Sequence, residues 1–335
     1  MNHIAIDLGG RKSQICVRNG PGEIVQEGKW DTSAIHTYLP KGPGRVVLET
    51  CAEAFAVADR VASRGLEVVV VPSVLAPQLG VGHRGVKTDV RDARALSEMS
   101  CRMETLPRVH VPSPVSRDRK SMLTARDSLV KARTGIINSV RGWMRTCLLK
   151  LAGGTPETFP KRVRDLCLAT AEGLPDYIES QLQVLESLTE QIKKTSKEVA
   201  RIAKSDPVVA RLQAPPGVGS ITALSFASTI DDVTRFENAA NVSSYLGLTP
   251  GERSSGARIR RLGISKAGAA RTRAALVQAS WVLWRTKPHD PNVKWAKEIA
   301  LRRGKQKAII ALARKLARIM FAIWRDETIY SPPSK

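Results

Sequence analysis

Short continuous apolar runs, broken by glycine, proline and asparagine, fill the first seventy or so positions and predict buried strands. Ile4 to Asp7 reads as a strand that closes on an acid and a Gly9-Gly10 turn, and Ser13 to Arg18 reads as a second. Pro21-Gly22 then turns the chain into Glu23 to Gly28, completing a three-strand meander. Residues 45–49, Arg-Val-Val-Leu-Glu, form a fourth strand that again ends on an acid; an Ala-rich helix follows over 52–64, and Leu66 to Val71 is the fifth strand. After them, Ala93, Ala95, Leu96 and Met99 predict a helix over the stretch that begins Lys87-Thr-Asp-Val-Arg-Asp. This order is RNase H-like, and such a fold brings strand-end acids to one edge of the sheet.

From Arg117 to Leu151 the period becomes helical. Met122, Leu129, Ile136, Val140, Trp143 and Cys147 form an apolar stripe, with Arg119, Arg126, Arg133, Arg141 and Arg145 among the basic positions. That basic face is a solvated helix surface or a track for a nucleic-acid backbone. Gly153-Gly154 and Pro156 interrupt it. Beyond Pro175, Ile178, Leu182, Leu185, Ile192 and Val199 keep heptad spacing, with Thr189 and Ser196 as weak members; this predicts a helical hairpin or short coiled coil, within one chain or between two. Pro216-Gly-Val-Gly-Ser220 lies between two helical stretches and fits a helix-hairpin-helix turn, in which Gly217 and Gly219 would let backbone amides approach a phosphate. A plain interhelical turn would look similar. The pattern predicts an α/β domain over 1–115, a helical or coiled-coil linker over 116–205 and a mostly α domain over 206–335.

Composition narrows the partners. Lys and Arg number 53 against 31 Asp and Glu, a net charge of +22 that suits a polyanion, either nucleic acid or an anionic membrane surface. Residues 251–335 hold 20 basic and 5 acidic side chains, so this last quarter is the expected polyanion contact. Hydrophobic residues make up 42% and aromatics only 4%, which predicts an aliphatic, helix-rich core. No apolar run spans a bilayer and the N-terminus is no signal peptide, so a cytoplasmic protein is expected. Cys16, Cys51, Cys101, Cys147 and Cys167 lack metal or disulfide spacing and are expected to be small buried residues.

Candidate chemistry centres on carboxylates. Asp89 and Asp92, three apart, should share a helix face, and clustered carboxylates repel unless a cation lies between them. Alone they could be a solvated helix start paired with Lys87, Arg91 or Arg94. Asp7 and Glu49, at the ends of two predicted strands, supply the company that favours a metal site. Asp7-Leu-Gly-Gly also opens the phosphate loop of actin-like sugar kinases, but no further glycine-rich nucleotide loop follows.

The run GLTPGERSSGARIRRLGISKAG, preceded by PPGVGSITA and, earlier, by IAID, VLET and KTDVRDARAL, resembles the DEDD-type transposases of the insertion sequence one-ten family. The resemblance covers nearly the whole chain in family order; ETCAEAF stands where the family more often has EATGxY. It implies a RuvC-like N-terminal domain whose four acids fall on Asp7, Glu49, Asp89 and Asp92 and hold Mg²⁺, as two ions, and a C-terminal transposase domain whose nucleophilic serine falls on Ser255. It implies an RNA-guided recombinase that uses an element-encoded bridge RNA, exchanges strands between donor and target duplexes as a tetramer, and works on the nucleoid of a bacterial cell. Arg253, Arg258, Arg260, Arg261, Lys266, Arg271 and Arg273, with Gly217 and Gly219, are the expected nucleic-acid contacts. A nuclease or junction resolvase that uses water, or a scaffold without activity, remain the competing readings.

Overall fold

The computed structural model describes residues 1–74, 88–170, 173–255 and 258–331, with the side chains of 253–261 outside that description. The chain divides into two compact units, Met1–Pro112 and Ser113–Lys335.

The first unit is built on a five-stranded sheet of β1 (Asn2–Asp7), β2 (Lys12–Arg18), β3 (Ile24–Asp31), β4 (Gly44–Glu49) and β5 (Glu67–Val71), in the order β3-β2-β1-β4-β5. β1 pairs antiparallel with β2 and parallel with β4, and β4 pairs parallel with β5. The order is compatible with an RNase H-like fold. The central strands are buried on both faces, hence their continuous apolar runs. Strand alternation divides their side chains: Ile4, Ile6, Val46, Leu48 and Val70 pack with α1 (Ala54–Ala62), whereas Ala5, Val47, Val69 and Val71 pack with Leu96 and Met99 of α2 (Asp89–Arg102). Thr88 caps α2 by accepting from Arg91 N–H at 3.3 Å.

In the second unit α3 (Pro114–Thr146) and α5 (Asp176–Ser205) pack along each other within the chain, joined by α4 (Phe159–Leu168). Ile178, Leu182, Leu185, Ile192 and Val199 are buried as their heptad spacing requires. The α3 stripe differs from expectation, because Leu123, Ile137, Val140 and Met144 are the buried positions and Cys147 is exposed. Arg119, Arg126 and Arg133, one heptad apart, bond to Asp206, Ser196 and Glu157 at 2.7, 2.9 and 2.9 Å. Ser196 is thus the acceptor for Arg126, which accounts for a polar residue at a heptad position.

Among the described residues the α-helices that follow are α6 (Pro207–Leu212), α7 (Ser220–Ile230), α8 (Ala239–Tyr245), α9 (Ala270–Thr286), α10 (Pro291–Arg303) and α11 (Lys305–Arg325). An antiparallel ribbon of β6 (Pro250–Ser255) and β7 (Arg258–Ile264) stands between α8 and α9 in sequence. Leu123, Val199 and Ala203 share a core with Phe226, Leu276, Leu312 and Phe321, so the helical segment 116–205 and residues 206–335 belong to one unit. Cys51 and Cys147 are exposed and Cys101 half-buried, so only Cys16 and Cys167 are the buried thiols expected. No described helix is long and apolar enough to cross a membrane.

Candidate acid cluster and serine ribbon

Asp7 ends β1 and Glu49 ends β4, and the parallel register that pairs Ile6 with Leu48 sets the two acids side by side. Odd-numbered positions of both strands face α2, so both acids project to the face that α2 covers. The helix runs antiparallel to β1. Ser100 meets His3 Nδ1 at 2.9 Å, Arg94 grips Glu27, and Lys29, level with Asp7 through Gln14, holds Asp89 at 2.7 Å. From Ser100 back to Asp92 the helix rises about 12 Å, and from His3 to Asp7 the strand rises about 13 Å. Asp92 therefore arrives at the edge where Asp7 and Glu49 end.

Asp92 is buried, and its Oδ1 has no hydrogen-bond partner among the described residues. A buried carboxylate oxygen without a partner is costly unless a cation or donor satisfies it. Together with the hard oxygen donors of Asp7 and Glu49, it suits a divalent ion such as Mg²⁺. As they stand, no three His, Cys, Asp or Glu side chains among the described residues are arranged to ligate a metal. Asp89, the first residue of α2, lies more exposed than Asp92 and is in an ion pair with Lys29. Arg94 binds both oxygens of Glu27 at 2.6 and 2.7 Å; those bonds hold the Glu27 carboxyl below its usual range and clasp α2 to β3. Lys87 lies outside the described residues.

The Asp7-Leu-Gly-Gly turn is occupied by its own chain. Gly9 N–H donates to Ser13 Oγ at 3.2 Å, Thr32 donates to Gly9 O at 2.7 Å, and a Cβ on Gly9 would come within 2.4 Å of Lys12 O. The glycine therefore serves a tight hairpin.

Ser255 ends β6 and pairs in register with Arg258, while Arg253 pairs with Arg260. Arg261 pairs with Glu252, so the backbone register sets Ser255 and four arginines into adjoining rungs of the ribbon. Like charges at paired positions repel, and an anion relieves that repulsion. Gly256 lies outside the described residues, as do the side chains of Ser254, Ser255 and these arginines. The helix that follows uses its cations internally: Arg271 pairs with Asp127 at 2.5 Å, and Arg273 donates to Leu246 O and Ala267 O. Lys266 follows the ribbon with φ of 56°. Gly219 caps α7 with open space about it, whereas a Cβ on Gly217 would come within 2.5 Å of Ala279 O in α9. Gly217 thus has a packing role in the fold.

Sequence reasoning missed the ribbon, whose alternation of Ile259 and Leu262 among arginines is a weak strand signal. It also missed Lys29, the single cation of β3, which lies one residue beyond the predicted end of that strand.

The Transposase IS116/IS110/IS902 family model matches residues 209–294, a span that includes α7, α8, the ribbon and all of α9. The transposase for insertion sequence element IS1111A of Coxiella burnetii is 28% identical over 98% of this chain and 90% of its own length. The transposase for insertion sequence element IS1328 of Yersinia enterocolitica is 26% identical over 98% of both. A Sinorhizobium fredii protein described as "Putative transposase y4qE" reaches 32% over 79% of this chain and 71% of its own. Similarity of this extent runs through the sheet unit as well as the helical one, and the chain belongs to the IS116/IS110/IS902 family of transposases, enzymes of DNA strand transfer.

Proposed function

We propose that this transposase is an RNA-guided DNA recombinase that cuts and joins donor and target duplexes through Ser255, with Asp7, Glu49, Asp89 and Asp92 as the acid set. The observation that carries the acid half is Asp92, a buried carboxylate with an unpartnered oxygen at the sheet edge where two strand-end acids meet. Mg²⁺ held there would neutralise charge on the phosphate and on the departing oxygen. Ser255 Oγ bonds to phosphorus as the bond to one deoxyribose oxygen breaks; the serine proton goes to solvent and the departing oxygen takes one up. The phosphoserine ester conserves the bond, so a second sugar hydroxyl can displace the serine and rejoin the strand. Arg253, Arg258 and Arg260, on the same ribbon as Ser255, would hold the phosphate and oppose its growing negative charge. An element-encoded RNA would choose the duplexes, and synapsis of two duplexes calls for a homotetramer.

Covalent trapping tests the reading. Donor DNA carrying its flanking sequence, incubated with the protein, its RNA and Mg²⁺, should yield a protein–DNA adduct at Ser255, absent in Ser255→Ala and retained in Ser254→Ala. Nicking without an adduct would favour a hydrolytic resolvase, and an adduct at Ser254 or Tyr245 would move the nucleophile.

A further inference from the structure

A groove of about 1150 Å³ opens on the second unit between the start of α8, the base of the β6–β7 ribbon, α10 and one face of α11. α11 is two-sided. Ile309, Leu312, Leu316, Met320 and Phe321 are buried in the core, while Ile310, Ala311, Arg314, Lys315, Arg318 and Ala322 recur at helical spacing along the groove. The floor is apolar, from Leu248, Leu262, Ile264, Ile310 and Ile319. The rim carries Lys266, Lys307, Arg314, Lys315 and Arg318, with no acid among the lining residues described. None of the five is in an ion pair among the described residues. Arg314 Nε is buried without a hydrogen-bond partner among the described residues, and Lys315 lies 4.5 Å from the centroid of the Trp295 ring.

These features select the occupant. From Gln306 to Ala322 the groove follows α11 for about 24 Å, longer than a compact small-molecule site needs. Five cations without acids call for a polyanion. A duplex offers sugar and phosphate to such a surface and keeps its base faces stacked inside, which leaves an apolar floor uncovered. An unpaired strand has phosphates along one side and bare base faces along the other, the same division as rim and floor. A second copy of this chain carries the same charge of +22 and would be repelled by the rim.

We propose that this groove binds an unpaired stretch of polynucleotide, with bases against Leu262, Ile310 and Ile319 and phosphates on the lysines and arginines. Leu262 and Ile264 belong to β7, so a strand lying here runs beside the base of the ribbon that ends in Ser255. The proposal deepens the nucleic-acid part of the recombinase reading and is independent of the serine chemistry and of metal. DNA and RNA share the required chemistry, and the test separates them.

The full-length protein would be titrated in a fluorescence anisotropy assay, without divalent ions, against labelled oligothymidylate and oligouridylate of about 15 nucleotides, an abasic deoxyribose-phosphate chain of equal length and a duplex. The abasic chain should bind at least about tenfold more weakly than oligothymidylate, as lost base contacts require. Ile310→Glu should weaken both single strands by about tenfold or more and erase the preference over the abasic chain, with duplex affinity within about twofold. Lys307→Gln with Arg318→Gln, two exposed positions where folding is not at risk, should weaken all single strands including the abasic one. A stronger effect on oligouridylate assigns the groove to RNA, and a stronger effect on oligothymidylate assigns it to a DNA strand. Equal binding of abasic and base-bearing chains, or unchanged single-strand affinity in both folded variants, overturns the proposal. So does a variant that dissociates an oligomer in sedimentation while still binding single strands, which would make the groove a contact between copies. Covalent trapping with the same variants keeps the two readings apart, because loss of the groove can leave adduct formation in place.

Discussion

A buried carboxylate oxygen without a partner is a liability unless function requires it, and Asp92 Oδ1 is such an atom among the described residues. Its effect on stability should therefore depend on divalent cations. Without them, Asp92→Asn removes a buried charge at nearly constant volume and should leave the melting temperature unchanged or raise it. With saturating Mg²⁺ the wild type should gain stability by mass action, about 2.7 kcal/mol at a hundredfold excess over Kd, and the variant should not. The variant should be inactive in strand cleavage while still binding DNA. Equal Mg²⁺ stabilisation of both proteins, read by calorimetry, would remove Asp92 from the metal site. Gly217 makes a contrasting case, because its φ of 86° and its approach to Ala279 O leave no place for a Cβ. Gly217→Ala should cost at least about 1–3 kcal/mol, seen as a lower denaturation midpoint, since both the dihedral and the contact must be distorted.

Among the elements, the clasp between α4 and α5 has a predictable acid response. Arg164 bonds to Glu179 at 2.8 and 2.9 Å and to Glu186 at 2.5 and 3.2 Å. The arginine's bonds hold the Glu179 carboxyl below its usual range. A depressed carboxyl pKa contributes stability that is present above the unfolded value, near 4.3, and is lost as pH falls through the lower folded value. The groups are partly exposed, so the contribution is of order 1 kcal/mol. Arg164→Met should lower stability by about that amount at pH 7 and flatten the acid limb below pH ~4.3; a parallel acid limb would argue against the clasp. The elements themselves were unequally legible. The central strands of the first unit were visible because sheets buried on both faces demand apolar runs, and the α5 heptads because Ile178, Leu182, Leu185, Ile192 and Val199 keep the spacing across Thr189 and Ser196. The α3 face was drawn about one position away, with Met122 and Ile136 in place of Leu123 and Ile137, because arginines at heptad spacing read as solvated although three of them bond to α5, Asp206 and the start of α4. The ribbon was invisible for a similar reason: arginine-rich strands lack the β-branched signature. Asp7, Glu49 and Asp92 could be found because strand ends and helix starts are fixed by local pattern, while the tie of Asp89 to Lys29 is a tertiary contact that no local pattern encodes.

At the scale of the whole chain, charge and core are intertwined. Residues 251–335 carry most of the net charge of +22, yet they also supply Leu276, Leu283, Leu312, Leu316, Met320 and Phe321 to the largest core. Deleting the quarter would expose that core, so loss of binding after truncation would report unfolding and not electrostatics. Neutralising exposed cations separates the two. Lys287, Arg302 and Arg303 lie at the ends of α9 and α10, exposed and away from the groove. Wild-type affinity for duplex DNA should fall linearly on a log–log plot against salt with a slope of several units, since each neutralised phosphate contributes about 0.9. Converting all three to glutamine should leave the melting temperature within about 0.5 kcal/mol equivalent, as surface changes do. It should lower the slope by about 0.9 for each of the three that touches a phosphate, equally for any duplex sequence, because phosphate contacts carry no sequence information. An unchanged slope with weaker binding would mean that these cations act on folding or assembly, and a flat wild-type response would show that the charge of the last quarter does not meet DNA.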